Sequence, residues 1–426
     1  MKKKIVLFKK IISNPLFSGS FLMIVGSNFA NAINYIYHTL MGRILGPSSY
    51  SELAAILSII NLVGIIMVSL GLVVTKFISS AKNEEEIKAL IGWFNIKIFY
   101  LSLFILLLFL ISASFISTFL NLHSNLPVII MSFVIFITFP TFLLRASLQG
   151  LLKFNKLVST LVLEHFLKLV VGLTLVVLGL SVSGAIFGIL ISVICAWILS
   201  RFFLGKYYSG ETRFNLGKTK PIVFYALPVF IQSLSIASLN STDLVLVKHF
   251  FNPHDAGLYA ALSTLGKIIF FASGPIVAVM FPMVSQKFSK KEPFINLFSY
   301  GLALTLLISF CILWFYYLFP DLAIRVLYGS AYLEASSLVI WFGLYMAIFT
   351  LTYFLTNFFL SIGKLKVVIF PLFTALIQIF GIWLFHESLL EVIKVSLAAV
   401  FVLLISLLIY FMLEVKGISF NPNAKI

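Results

Sequence analysis

The sequence predicts an all-α polytopic membrane protein, with about twelve transmembrane helices in two six-helix lobes related by a parallel pseudo-twofold repeat. Three observations carry that expectation. Of 426 residues, 61% are hydrophobic and only 10% are charged, and the mean hydropathy is +1.12. A water-soluble domain is about 45–50% apolar and about 25% charged. Apolar runs longer than ~20 residues recur along the chain, whereas strands of a membrane barrel need about 9–11 alternating residues. Finally, segments of the first half reappear in order in the second.

Polar, glycine and proline punctuation sets off each run in turn. The first, 17–41, follows the basic leader MKKKIVLFKK, read as a retained cytoplasmic leader rather than a signal peptide. Helix 52–76 follows GPSSYS, 92–120 follows the charged NEEEIK, and 126–150 follows NLHSN. Helix 157–180 begins after KFNK, and 183–205 is set off by a short break. A cytoplasmic linker at 207–220 divides the first lobe, 1–206, from the second, 221–426. Helices 221–248, 256–284, 294–319, 333–361, 364–385 and 388–414 complete the second lobe, separated by FNPHD, SKKEP, YGSAY, GK and HES.

Most of the 30 lysines and arginines fall on the side that carries the N-terminus. Only Arg43, Lys248, Arg325 and Lys394 fall on the other side, and Lys97, Lys168 and Lys267 lie within helices. The positive-inside rule then puts both termini in the cytoplasm and the chain in the cytoplasmic (inner) membrane. The repeat supports an even helix count. GRILGPSSYSELAA (42–55) aligns with KHFFNPHDAGLYAA (248–261) at an offset of 206, pairing Pro47 with Pro253.

The net charge of +16 is spread between hydrophobic runs, so no nucleic-acid partner is expected. Cys195 and Cys311 both lie inside apolar runs and suggest neither a disulfide nor a metal site. There is no Walker A, H-E-x-x-H or G-x-S-x-G motif and no long loop to hold a catalytic domain. An enzyme, a cofactor and a built-in ATPase are therefore not expected.

Polar residues inside the helices are the candidate site, because such residues avoid lipid and face a partner helix or a watery cavity. Ser27, Asn31, Asn34 and His38 share a narrow face of the first helix, while Gln232, Ser235, Asn240 and Asp243 span a broader one on the seventh. Asn34 and Asn240 are equivalent under the offset of 206. Interhelical hydrogen bonding or a cavity lining would each explain both faces. Lys267 lies near mid-bilayer, either neutralised by Asp243 or lining a cavity for an anion. Glu164 and Lys168 are spaced to pair on one helix face, or to form an ion-responsive site with His165. Arg145 sits a turn deeper than the snorkelling Lys76 and Lys97, while Arg43 and Lys248 bracket an outer mouth or meet lipid phosphates.

Five segments in order resemble a known family: GRILGPSSYSELAA, LLRASLQGLLKF, NSTDLVLVKHFFNPHDAGLYAAL, FASGPIVAVMFPMVSQ and RVLYGSAYLEAS. The chain resembles the polysaccharide-transporter branch of the multidrug/oligosaccharidyl-lipid/polysaccharide exporter superfamily, which includes the O-antigen-type lipid-linked oligosaccharide flippases. The resemblance covers nearly the whole chain. It implies alternating access around a central cationic cavity. The implied cargo is an undecaprenyl-diphosphate-linked glycan, moved from the inner to the outer leaflet in an O-antigen, capsule or exopolysaccharide pathway.

In that reading Lys267, Lys168, Arg145, Arg43 and Lys248 contact the anionic cargo. Asn31, Asn34, His38, Gln232 and Asn240 line the cavity, and Asp243 and Glu164 are ion-coupling groups or counter-ions. Partners would be the lipid-linked glycan, a coupling H+ or Na+, membrane lipids and glycan polymerase machinery. Lipid II flippase relatives carry an Arg-Asp pair in the first helix and extra C-terminal helices. Tyr37-His38 stands at about that place here, and the chain has no room for more helices. The alternatives are a cation-coupled multidrug or small-molecule antiporter, in which Asp243 and Glu164 would matter most, and a membrane-embedded polymerase or glycosyltransferase.

Overall fold

The computed structural model describes residues 15–81, 83–208, 220–290 and 292–414. The basic leader, most of the 207–220 linker, Lys82, Lys291 and the tail with Lys416 and Lys425 lie outside the described residues. The α-helices are α1 (Pro15–Ser79), α2 (Glu84–Ile111), α3 (Ala113–Phe119), α4 (Leu126–Gly150), α5 (Phe154–Leu175), α6 (Ser181–Leu204) and α7 (Lys220–Phe250). They continue as α8 (Pro253–Ser289), α9 (Ile295–Leu318), α10 (Pro320–Leu327), α11 (Val339–Ser361), α12 (Ile369–Leu384) and α13 (Leu389–Glu414). Among the described residues there is no strand.

Among the described residues, ten stretches are long and apolar enough to cross a bilayer. Two of them, Val25–Ser79 and Phe154–Tyr207, each hold a pair of helices. The first breaks at Gly46 (φ 70°) and the second around Gly179 (φ 92°) and Ser181 (φ 47°). Twelve helical crossings result, which agrees with the sequence.

The break in α1 differs from expectation. In place of a loop over 42–51, the helix runs to residue 45 and restarts at Pro47. Glycine adopts a left-handed φ without steric cost, and proline suits a first helical turn because its missing N–H would go unpaired there. One residue therefore does the work of a loop. The offset of 206 maps Gly46-Pro47 onto Asn252-Pro253, where the Asn252 side chain accepts from the Asp255 N–H (2.9 Å) and caps α8.

Tertiary contacts divide the chain into two compact units, one of residues 1–45 and 63–226, the other of 46–62 and 227–426. In the first, α6 packs between α4 and α5 and α2 packs on α4. In the second, α11 is the central helix, with Phe342, Tyr345, Phe349, Phe354 and Phe358 fully buried against α8, α9 and α13. Several buried serine and threonine hydroxyls are satisfied within their own helices. In α4, Ser132, Thr141 and Ser147 each donate to the carbonyl four residues back at 2.8 Å. Phenylalanines and leucines such as Phe104, Phe202, Phe380 and Leu413 face outwards, as a surface solvated by lipid tails requires.

The second unit contains one very close backbone approach. A Cβ at Gly257, in the first turns of α8, would collide with the carbonyl of Pro47. Helices that approach this closely need a small residue at the crossing. Beside it, Tyr50 is fully buried and hydrogen-bonds Thr264 (3.2 Å) and Tyr328 (3.3 Å). Gly257→Ala is expected to destabilise the folded protein by at least about 1–3 kcal/mol, because the obstacle is backbone and cannot swing aside. Thermal unfolding of the purified variant in detergent checks this; an unchanged midpoint would refute it.

Candidate functional site

Each unit buries a cluster of polar and charged side chains at membrane depth. In the first unit, the part of α1 before Gly46 and α5 hold Lys168. Its Nζ donates to Asn34 Oδ1 (2.8 Å) and lies 4.3 Å from the centre of the Tyr37 ring. Neither partner is an anion. An amide oxygen and a ring face orient the Lys168 side chain at contact distance, while the Glu164 carboxylate acts on it electrostatically with no contact ion pair between them among the described residues.

Arg145 of α4 and Glu164 of α5 form an ion pair at 2.8 Å, with both side chains largely buried. Arg145 also donates from Nε to Thr160 Oγ1 (3.0 Å) and from Nη2 to the Thr160 carbonyl (2.8 Å). The guanidinium is thus fixed on α5 with its charge compensated. The spacing of Glu164 and Lys168 predicts that they can pair along one helix, but each finds a cross-helix partner instead. A guanidinium fork meets a carboxylate with better geometry than an i,i+4 lysine can.

In the second unit, Asp243 of α7 is buried, and its Oδ2 accepts from the Tyr259 hydroxyl of α8 at 2.8 Å. Tyr259 also reaches Ser396 of α13. Gln378 of α12 donates to Ser396 Oγ (3.0 Å) and to the Tyr345 hydroxyl (3.2 Å), and Tyr345 donates to the Leu239 carbonyl. Five helices therefore meet in one polar network. Two acceptors in it, Asp243 Oδ1 and Gln378 Oε1, are buried without a hydrogen-bond partner among the described residues.

Lys267 of α8 acts electrostatically on Asp243, but no contact-distance ion pair joins them among the described residues. It stays partly open to solvent. Gln232 is buried, and among the described residues neither of its amide atoms nor the Asn240 side-chain oxygen has a hydrogen-bond partner. The polar face of α7 thus carries several groups that its own helices do not satisfy.

The remaining predicted positions are placed differently. Lys248 is fully buried, with Glu52 as the charge acting on it, and does not reach the surface. Arg43 and Asn31 are exposed, and His38 is half-buried beside the Tyr37 ring at 5.8 Å. Sequence reasoning missed Glu52, Tyr259, Tyr345, Gln378 and Ser396. Gln378, an amide inside an apolar run, was the available signal.

A family model described as polysaccharide biosynthesis protein matches residues 40–337. No curated protein matches the chain. Among solved structures, an inward-facing multidrug resistance MATE family transporter of the MOP superfamily superimposes with a TM-score of 0.77 at 15% identity, covering 93% of this chain and 98% of that one. The lipid II flippase MurJ in an inward closed conformation gives 0.73 at 17% identity, covering 94% and 90%. MATE in a bent conformation gives 0.64 at 15% identity, covering 97% and 98%. At these identities the likeness is one of fold.

Proposed function

The chain belongs to the polysaccharide biosynthesis protein family, and on that premise we propose that it is a flippase for a lipid-diphosphate-linked oligosaccharide. It moves the glycan from the inner to the outer leaflet of the cytoplasmic membrane by alternating access of its lobes, 1–206 and 221–426. An ion gradient or the membrane potential drives it. The single observation that best supports this reading is that each unit carries an intramembrane lysine, Lys168 in the first and Lys267 in the second, with no contact ion pair among the described residues.

The physical problem is to carry a charged, hydrated headgroup through hydrocarbon. A bare ion would lose its hydration at a cost of tens of kcal/mol, so it needs a polar path with opposite charge. Lysine recognises phosphate as a compact point charge whose reach is adjustable. Lys168 of the first unit and Lys267 of the second are the ammonium groups offered to diphosphate and acidic sugars, and Asn34 of the first and Asn240 and Gln232 of the second are the amides offered to sugar hydroxyls. Arg145 holds α4 against α5 while Glu164 compensates it. The lipid tail stays in the bilayer, so only the headgroup needs this path.

Energetics favour the outward direction. An inside-negative potential contributes about 2.3 kcal/mol per charge per 100 mV, and a departing diphosphate carries negative charge outwards. Asp243, with one oxygen lacking a hydrogen-bond partner among the described residues, supplies a carboxylate that H+ or Na+ entry could occupy. The product is a substrate for glycan polymerase machinery in the outer leaflet.

Depletion of the protein should cause lipid-linked glycan to accumulate in the inner leaflet, read by leaflet-selective labelling of the sugar. Purified protein in vesicles should move the glycan lipid and leave cationic dyes untransported. Dye transport that needs no glycan lipid would instead establish the antiporter reading.

A further inference from the structure

Three helix ends of the first unit meet on the side that the lysine and arginine distribution assigns to the cytoplasm. They are the start of α2, the turn from α4 into α5, and the end of α6 with its following 3-10 turn, Gly205–Tyr207. Cations and aromatic rings interleave there. Tyr207 has Lys153 over its ring at 4.5 Å and Lys206 at 5.3 Å. Arg201 lies over Tyr208 at 4.5 Å and Trp197 at 5.6 Å, and Lys156 lies over Phe203 at 5.4 Å. Asn95 donates to the Tyr208 hydroxyl (3.3 Å), which fixes that ring.

We propose that this cluster is a docking site for the phosphate headgroup of an anionic membrane lipid. The first turn of α2 brings Glu84, Glu85 and Glu86 against Lys153, Lys156, Arg201 and Lys206, so the cluster keeps an excess of positive charge. Glu84 takes up Lys206, at 2.6 Å from both carboxylate oxygens, and accepts from the Tyr207 hydroxyl at 3.2 Å. Lys153, Lys156 and Arg201 have ring faces but no ion pair among the described residues. Burial pushes the Lys153 ammonium below the usual lysine range, and Lys156 and Lys206 push it the same way, with Glu84 opposing. A phosphate placed among these groups relieves that repulsion and gains charge-assisted hydrogen bonds.

The surroundings favour a lipid over a free anion. Leu152, next to Lys153, is exposed and holds a left-handed φ of 56°, a conformation a leucine rarely adopts. Phe202, next to Arg201, is 76% exposed. Apolar side chains beside uncompensated cations match a ligand whose charged head continues into acyl chains. Basic pockets at the cytoplasmic ends of membrane helices bind such headgroups through the same combination.

The test is native mass spectrometry of the whole purified protein, offered phosphatidylglycerol and phosphatidylcholine with identical acyl chains. Wild type should retain phosphatidylglycerol over phosphatidylcholine by at least about tenfold, given the attraction of several basic groups to an anionic head. The triple variant Lys153→Gln, Lys156→Gln, Arg201→Gln should lose that preference. Equal retention of both lipids by wild type, or an undiminished preference in the variant, would overturn the proposal.

Tyr207→Leu with Tyr208→Leu keeps every charge and should still weaken retention several-fold; no change would show diffuse attraction rather than a built site. Complete displacement of phosphatidylglycerol by a matched concentration of inorganic phosphate would also overturn it, by making the site one for free anions. Both of these measurements decide the matter even if the triple variant fails to fold.

Discussion

Lys267→Ala should abolish flipping while the protein still inserts and folds. Lys267 lies about 20 Å along α8 from Pro253, at 1.5 Å rise per residue, well inside a bilayer core of about 30 Å. A charge at that depth costs at least about 2.5–3.5 kcal/mol on insertion scales, so its removal eases insertion. Among the described residues no contact ion pair is broken, and the partly open position leaves little packing to lose. The loss should therefore appear in flux, measured with lipid-linked glycan in vesicles at matched protein content. Lys267→Arg, which keeps the charge, should recover part of the activity. Unchanged flux in the alanine variant would remove Lys267 from the site.

Asp243→Asn should uncouple transport from its driving ion. The substitution keeps the side-chain shape and leaves an amide oxygen to accept from Tyr259, but it removes the charge. A hydrogen bond to a charged group contributes about 1.5–3 kcal/mol against about 1 kcal/mol for a neutral one, so stability should fall by about 1 kcal/mol. Ion-dependent flux should fall at least about tenfold, since losing even an outer-shell partner of a bound ion typically costs about 10–100-fold in affinity or activity. Comparing flux with and without an imposed H+ or Na+ gradient checks this. If only the melting temperature falls and gradient-driven flux is intact, Asp243 is a structural counter-ion to Lys267 and the coupling role is rejected.

The helices were legible because hydropathy reports directly on burial in lipid, and the runs are longer than any strand requires. Their joints were less so. The stretch 42–51 reads as a loop from its polar composition, yet Gly46 alone makes the break and Ser48, Ser49 and Tyr50 continue as helix. Local composition does not reveal that a neighbouring helix will satisfy those residues. The Tyr50 hydroxyl, for example, hydrogen-bonds Thr264 of α8 at 3.2 Å.

Within the candidate site, Asn34, Lys168, Asp243 and Lys267 stand out because polar atoms in a membrane helix are costly. Their partners depend on tertiary geometry. The pairing of Arg145 with Glu164 joins residues on two helices, and no spacing along either one specifies it. Tyr259 and Tyr345 were hidden for another reason. Tyrosine is common at membrane interfaces, so only its depth marks it as part of a buried network.

The junction of Pro47 and Gly257 is encoded by the lack of an atom. Hydropathy, charge and periodicity all score what a side chain contributes, and at position 257 the contribution is empty space filled by another residue's backbone. Recoding α8 for solubility or helix propensity would treat that glycine as the first residue to replace, since glycine is a poor helix former. The design rule that strengthens an isolated helix would here pry two helices apart.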